Sequence, residues 1–405
     1  MLPYGRQTIE DDDIAAVVAV LRGSYLTSGP AVEAFEAKLA EVTATSYAVA
    51  CANGTAALHL AAMTLDLGPG DVAIVPAQTF VATANAVAMT GARVVFADVD
   101  PDNGLMRPQD LRDALARAQA LGRPRAVFVV HLNGQAAPMA EIAPIARAAG
   151  LALVEDCCHA IGGQMADADG RPTPVGSCAL SDLATFSFHP VKTVTMGEGG
   201  AVTTNSAALA ERLRDLRGHG IVRDPARFRD ADAAFDPSGH ANPWYYEMQA
   251  LGHNYRACDL QCALGLSQLG KLERFVARRA DLVAAYDAAL GADGPLVRPI
   301  ARVAMPAPGW HLYPVLIDFQ AAGRDRASVM RALAAAGVGT QVHYIPVPDQ
   351  PYWREAAADA VCAGARVYAA RALSLPLFPA MVEGDVAGVV AALKQVLGGD
   401  AQCVA

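Results

Sequence analysis

The sequence predicts an α/β protein built on a mostly parallel sheet, followed by a smaller α+β domain. Three observations carry this expectation. Short apolar runs of strand length alternate with helix-length segments up to about residue 217. The stretch from Ile221 to Gln249 then turns polar and irregular. Beyond it, a long helical region leads into mixed strands and helices. Strands that are apolar throughout, rather than alternating, are buried on both faces, as in a parallel sheet with helices on either side.

The elements follow in order. Strands are expected at Val72–Val75 (VAIV), Arg93–Asp98 (RVVFAD), Ala126–Val130 (AVFVV) and Leu151–Glu155 (LALVE), with helices over Val81–Thr90, Pro108–Gln119 and Ala140–Gly150. Pro108 fits a first helical turn, where no N–H is needed, and Gly150 fits a helix C-terminus. The TFSF run at 185–188 reads as a further buried strand. Helix is expected through 258–290, then a strand at 311–319 (HLYPVLIDF), a helix at Arg326–Ala336, a strand at 340–345 (TQVHYI) and a last helix within Asp385–Leu397. The division is placed near residue 250, giving a large domain over 1–250 and a smaller one over 251–405. In open α/β sheets, right-handed crossovers bring the functional loops to the carboxyl ends of the strands.

Composition narrows the function. Of 405 residues, 53% are hydrophobic and 18% charged, which excludes a disordered chain. Lys+Arg number 32 against 41 Asp+Glu, a net charge of −9 that argues against nucleic acid or an anionic membrane as partner. The uncharged stretch between Asp71 and Arg93 is broken by polar residues and reads as strand plus helix rather than a membrane span. The opening MLPYGRQTIEDDD has no basic start followed by an apolar run, so a cytoplasmic protein is expected. The eight cysteines are scattered without a CxxC pair or zinc-type spacing, so they read as small buried hydrophobes, and no metal is expected.

Four local features carry chemistry. Asn53-Gly54-Thr55 follows the apolar run AVAC and opens a helix. Free N–H groups there make an anion site, although a plain helix cap accounts for the same residues. Asp156, in EDCCH, ends a buried strand where α/β sheets bind ligands. It is either a ligand-binding carboxylate or a helix-capping one. Lys192, in SFHPVK, follows the TFSF strand; it is either a partly desolvated lysine able to act as an amine nucleophile or an ordinary surface lysine in a loop. The glycines of Gly197-Glu198-Gly199-Gly200 read as a tight turn. Gly252-His253-Asn254-Tyr255-Arg256 places polar and aromatic residues before the helical region.

In this order, the joined motif EDCCHAIGG…SFHPVKTVTMGEGGA resembles the DegT/DnrJ/EryC1/StrS family of sugar aminotransferases, and the likeness extends from PYGRQ to QVHYIP. The resemblance implies a fold-type I pyridoxal-phosphate transferase with a three-layer α/β/α large domain. Within the family, PYGRQTIEDDDIAAV, SYLTSGP, TFVATAN, GHNYR and ALGLSQL are most similar to transaminases that make a 4-amino sugar on the pseudaminic acid route.

The roles that follow are those the resemblance implies. Lys192 carries pyridoxal 5'-phosphate covalently, and Asp156 pairs with its pyridine N–H. Gly54, Thr55 and Ser187 hold its phosphate, Phe80 stacks on its ring, and His159 lies on the ring's hydroxyl side. Asn254 reaches the phosphate of a neighbouring subunit, which implies a homodimer. L-glutamate is the implied amino donor and a nucleotide sugar the acceptor. Tyr4, Ser24, Tyr25, Leu26, Thr27, His343, Tyr344, Ile345 and Pro346 match the sugar-nucleotide site. One position departs from the pattern: many relatives read HYxPxH, whereas this chain has Pro348 at the last place. A histidine in place of Lys192 would mark the family's dehydratases, and the lysine argues against that branch.

Overall fold

In the computed structural model, residues 1–291, 294, 296–357 and 360–398 are described. A seven-stranded sheet forms the centre, in the spatial order Tyr47–Cys51, Gly200–Thr204, Leu183–Ser187, Ala152–Asp156, Arg123–Val130, Asp71–Pro76, Arg93–Ala97. Only Gly200–Thr204 runs antiparallel to its neighbours. Its two sides are covered by separate apolar clusters, as the unbroken apolar strands require. The expected helices form at Val81–Ala88, Pro108–Leu121 and Met139–Ala148, with Gly150 in the left-handed region at φ 68° just beyond the last.

The polar stretch 221–249 holds a two-residue antiparallel pairing of Ile221–Val222 with Glu247–Met248 and two short helical turns. The helical region after it breaks at Gly270 into Asp259–Leu269 and Leu272–Leu290. The first of these packs on the N-terminal helices Asp11–Leu21 and Pro30–Thr43. Asp259 accepts from the N–H groups of Gly29 and Ala31, and Gln268 and Lys271 bind the buried Asp13. The second helix spans two cores. Leu272 and Phe275 join the core of the large sheet, whereas Leu282, Val283 and Tyr286 join that of the small one. The division expected at residue 250 therefore precedes a helix packed against the N-terminal ones.

The small sheet contains Val297–Pro299, Tyr313–Ile317 and Ala372–Leu375, all antiparallel. Helices Arg326–Ala335 and Glu383–Gly398 accompany it, close to expectation. The strand expected at 340–345 does not form. Only Gln341 bridges Ser374, and the chain then leaves the sheet, with the Tyr344 carbonyl accepting from Gln78 Nε2 at 3.1 Å. Past Gln341 the segment crosses to the large domain and becomes a wall of the central cavity.

The two sheets meet at a contact that only glycine permits. Gly134 lies at φ 106°, and a Cβ there would stand 2.4 Å from the Gly309 carbonyl oxygen. Gly309 N–H donates to the Gly134 carbonyl at 2.9 Å. Gly134→Ala is expected to lower stability by at least about 2 kcal/mol, through strain and steric overlap together. Thermal or denaturant unfolding of the purified variant measures this, and an unchanged transition counts against the contact.

Candidate active site

At the carboxyl ends of the parallel strands lies a cavity of about 620 Å³, walled by residues 4, 53–58, 79–83, 130–132, 156–159, 187–198, 311 and 341–344 in part. Asp156 forms its floor. It ends the strand Ala152–Asp156, is buried, and accepts from Thr83 Oγ1 at 2.9 Å and from the Cys158 N–H at 3.1 Å. Thr83 is oriented in turn by Thr79, 2.8 Å between hydroxyls. A buried carboxylate without a fixed cation needs such donors.

Lys192 sits in the loop between the antiparallel strands Leu183–Ser187 and Gly200–Thr204. Phe188, fully buried, anchors that loop: its N–H donates to the Gly199 carbonyl, and its carbonyl accepts from the Met196 N–H, both at 2.9 Å. Burial pulls the Lys192 amine below the usual lysine value, while Cys158 and Asp156 nearby oppose the shift. The cavity thus holds an amine that is easily made neutral and a buried carboxylate.

The opposite end of the cavity is a helix N-terminus. Asn53 caps Gly54–Thr64, its side chain accepting from the Ala56 N–H at 2.8 Å. Among the described residues, the N–H groups of Gly54 and Thr55 have no protein partner, so the helix presents two donors and its positive end. Glycine is required on both sides of this turn. A Cβ on Gly54 would lie 2.7 Å from Ser187 Cβ, and one on Gly200 would lie 2.2 Å from the Asn53 carbonyl oxygen. Ser187 is thereby brought against the helix start, where its hydroxyl completes an anion cradle.

Imidazoles and phenols make the third side. His159 Nδ1 accepts from the Asn133 N–H at 3.4 Å, and its Nε2 lies 3.1 Å from the Tyr344 hydroxyl. The His311 ring lies 4.6 Å from that of His159, and His343 Nδ1 lies 2.8 Å from Ser374 Oγ. Burial drives all three imidazoles toward the neutral form, His343 down to about 3. Phe80 is 55% exposed at the rim, an unusual place for a large aromatic unless something covers it. Its ring centroid is 5.7 Å from that of Tyr344.

Of the residues singled out from sequence, the cavity gathers Tyr4, Gly54, Thr55, Phe80, Asp156, His159, Ser187, Lys192, His343 and Tyr344. It does not gather Ser24, Tyr25, Leu26 or Thr27, which are exposed: the Leu26 carbonyl accepts from the Asp259 N–H and Thr27 bridges Cys258, so this loop is pinned to a helix start elsewhere. Asn254 is exposed and bridges Gly218. Ile345 points out, and Pro346 leads into the turn Val347–Asp349. Sequence reading missed Thr83, His311 and Asn133. Thr83 carried a signal, a second hydroxyl four residues after Thr79 at a helix start; Asn133 carried none.

His131, Glu155 and Cys157 form a buried trio of metal-ligand types within 4.8 Å of one another. Glu155 already binds His131 Nε2 at 2.7 Å and Ser181 Oγ at 2.5 Å, and His131 Nδ1 accepts from the Ala137 N–H. These bonds leave the imidazole no free lone pair for a metal. No described helix is long and apolar enough to cross a membrane.

Residues 7–394 match the DegT/DnrJ/EryC1/StrS aminotransferase family. The chain belongs to that family. Among solved structures, this sugar aminotransferase is similar to one from Brucella abortus of the same family, at 30% identity and TM-score 0.81 over 96% of each chain. It is also similar to DesV of S. venezuelae, at 30% identity and TM-score 0.80 over 97% of this chain and 99% of that one. Helicobacter pylori PseC, an aminotransferase involved in the biosynthesis of pseudoaminic acid, shares the fold at 24% identity and TM-score 0.86, over 98% of this chain and all of that one. The enzyme is a transaminase dependent on pyridoxal 5'-phosphate, and the cavity fits that group: an anion cradle at one end, a buried carboxylate at its floor and an amine beside it.

The lowered Lys192 value has a direct consequence. At any given pH, more of this amine is neutral and nucleophilic than of an ordinary lysine. The rate at which the cofactor-free protein combines with pyridoxal 5'-phosphate is expected to rise with pH and level off below the usual lysine value of 10.5. Absorbance stopped-flow across pH measures it; a midpoint at or above 10.5 would contradict the burial of the amine.

Proposed function

We propose that this enzyme moves the amino group of L-glutamate to C4 of a UDP-linked 4-keto-6-deoxy-N-acetylhexosamine, giving UDP-4-amino-4,6-dideoxy-N-acetyl-β-L-altrosamine, a step of pseudaminic acid biosynthesis. The observation that carries the reaction type is the pairing of Lys192 and Asp156 in one cavity opposite the Gly54–Ser187 cradle. The choice of sugar is supported by the segments PYGRQTIEDDDIAAV, SYLTSGP, TFVATAN, GHNYR and ALGLSQL and by the likeness to PseC.

In this reading Gly54, Thr55 and Ser187 bind the cofactor phosphate, and Phe80 covers the ring. Asp156, oriented by the Thr83 hydroxyl and the Cys158 N–H, pairs with the protonated ring nitrogen. When bound, the cofactor supplies an electron sink that acidifies the Cα–H of an attached amine. Lys192 Nζ holds the cofactor, then takes up the Cα proton of L-glutamate and returns it elsewhere, and it reverses these transfers for the keto sugar. His159 orients the hydroxyl side of the ring. Tyr4, His343 and Tyr344 offer hydrogen bonds to a hydroxyl-rich ligand.

The active unit in this reading is a cytoplasmic homodimer. Asn254 and the loop Ser24–Thr27 are exposed and apart from their own chain's cavity, and they serve the cavity of the second copy, as do Ile345 and Pro346 at its margin. A second acceptor reading, another nucleotide-linked 4-keto sugar (TDP- or GDP-hexose, or a UDP-4-keto-pentose), is favoured by Pro348, which puts a buried ring without hydrogen-bonding atoms where relatives often carry histidine.

Lys192→Ala is expected to lose turnover by at least about a thousandfold, and Asn254→Ala to lose most of it. Co-expressed, the two variants regain activity, because the hybrid has one cavity with both residues. Monomers by light scattering, or no recovery in the hybrid, refutes the shared site. For the acceptor, the amine-loaded enzyme is offered UDP-, TDP- and GDP-linked 4-keto sugars. Recovery of the cofactor's aldehyde absorbance is expected with the UDP-linked N-acetylhexosamine, and preference for another nucleotide selects the second reading.

A further inference from the structure

One hydrogen-bond chain in the cavity has a fixed direction. It starts at Asn133, whose buried residue sits at φ 64° in the loop after the strand Arg123–Val130. That loop cannot turn. His131 binds Glu155 at 2.7 Å and accepts from Ala137, while Asn133 Nδ2 donates to the Tyr368 hydroxyl at 3.0 Å. The Asn133 carbonyl accepts from the His311 N–H at 3.1 Å.

A backbone N–H only donates. His159 Nδ1, 3.4 Å from it, is therefore the acceptor and carries no proton. Burial keeps the ring neutral, so its single proton sits on Nε2. That proton is donated to the Tyr344 hydroxyl oxygen at 3.1 Å. The phenol's own proton is then left over, and among the described residues it has no acceptor. Tyr344 lines the cavity with Lys192, and burial holds its hydroxyl in the protonated form.

We propose that Tyr344 is a hydrogen-bond donor to an acceptor oxygen of the molecule bound beside Lys192, and that Asn133, acting through His159, is the positioning residue that sets this polarity. The proposal rests on reading the cavity as the cofactor and substrate site, and it adds a direction to a contact otherwise open to either sense. A chain running the other way would make Tyr344 an acceptor and select a ligand hydroxyl or amine. This chain calls for an acceptor oxygen (carbonyl, carboxylate, phenolate or the lone pair of a hydroxyl), supplied by the cofactor or by the substrate.

The first test uses the unsubstituted protein. With ¹⁵N-labelled histidine, long-range ¹H–¹⁵N correlation is expected to show His159, assigned by its loss in His159→Gln, as the Nε2–H tautomer; the Nδ1–H tautomer overturns the proposal. This outcome does not depend on turnover, so it stands even if the sugar assignment fails.

The second test is Tyr344→Phe, checked for an unchanged melting transition. Losing one such bond weakens the contacted ligand about threefold to tenfold. Weaker binding of pyridoxal 5'-phosphate identifies a cofactor oxygen. Unchanged cofactor binding with weaker L-glutamate or weaker UDP-linked keto sugar identifies a substrate oxygen. A folded variant that binds all three as before overturns the proposal.

Discussion

A buried carboxylate facing a desolvated amine is the constraint on which the rest of this structure depends. Asp156 ends a strand and Lys192 comes from a loop after another, and each is held in the interior by its own contacts. The carboxylate is kept in the interior by two donors, the Thr83 hydroxyl and the Cys158 N–H. The amine is kept there by a loop folded around buried Phe188. Both groups sit where the parallel strands end, because there the crossover helices diverge and leave an opening that backbone donors can line.

Close backbone approach builds the remainder. Gly54 and Gly200 let a helix start, a strand end and Ser187 share one corner, and Gly134 with Gly309 lets the small domain press against the loop that holds Asn133. A single methyl group would break the contact at either place. The histidines on the far wall are neutral because they are buried, so they act by direction of hydrogen bonding rather than by charge.

Much of the fold was legible. Val72–Val75 and Ala126–Val130 are apolar throughout, and Pro108 and Gly150 punctuate helices as local chemistry demands. TQVHYI misled for a physical reason: alternation there matches a strand, but only Gln341 pairs with the small sheet, and the Tyr344 carbonyl is bound by Gln78, far off in sequence. The helix Asp259–Leu269 was likewise legible as a helix but not as a partner of the N-terminal ones, since its docking residues Asp259, Gln268 and Lys271 bind groups more than two hundred residues away.

The sequence by itself determined the chemistry. A strand-end aspartate, a lysine after a buried strand and a glycine-opened helix are each dictated by local pattern, and their order marks the family. Only the tertiary structure decided who touches whom. Thr83 on Asp156, Asn133 on His159 and His311 against that same ring join distant segments, and hydrogen-bond direction exists only once donor and acceptor have met. The loop Ser24–Thr27 and Asn254 make the same point in reverse, because their place apart from the cavity follows from what the folded chain pins them to.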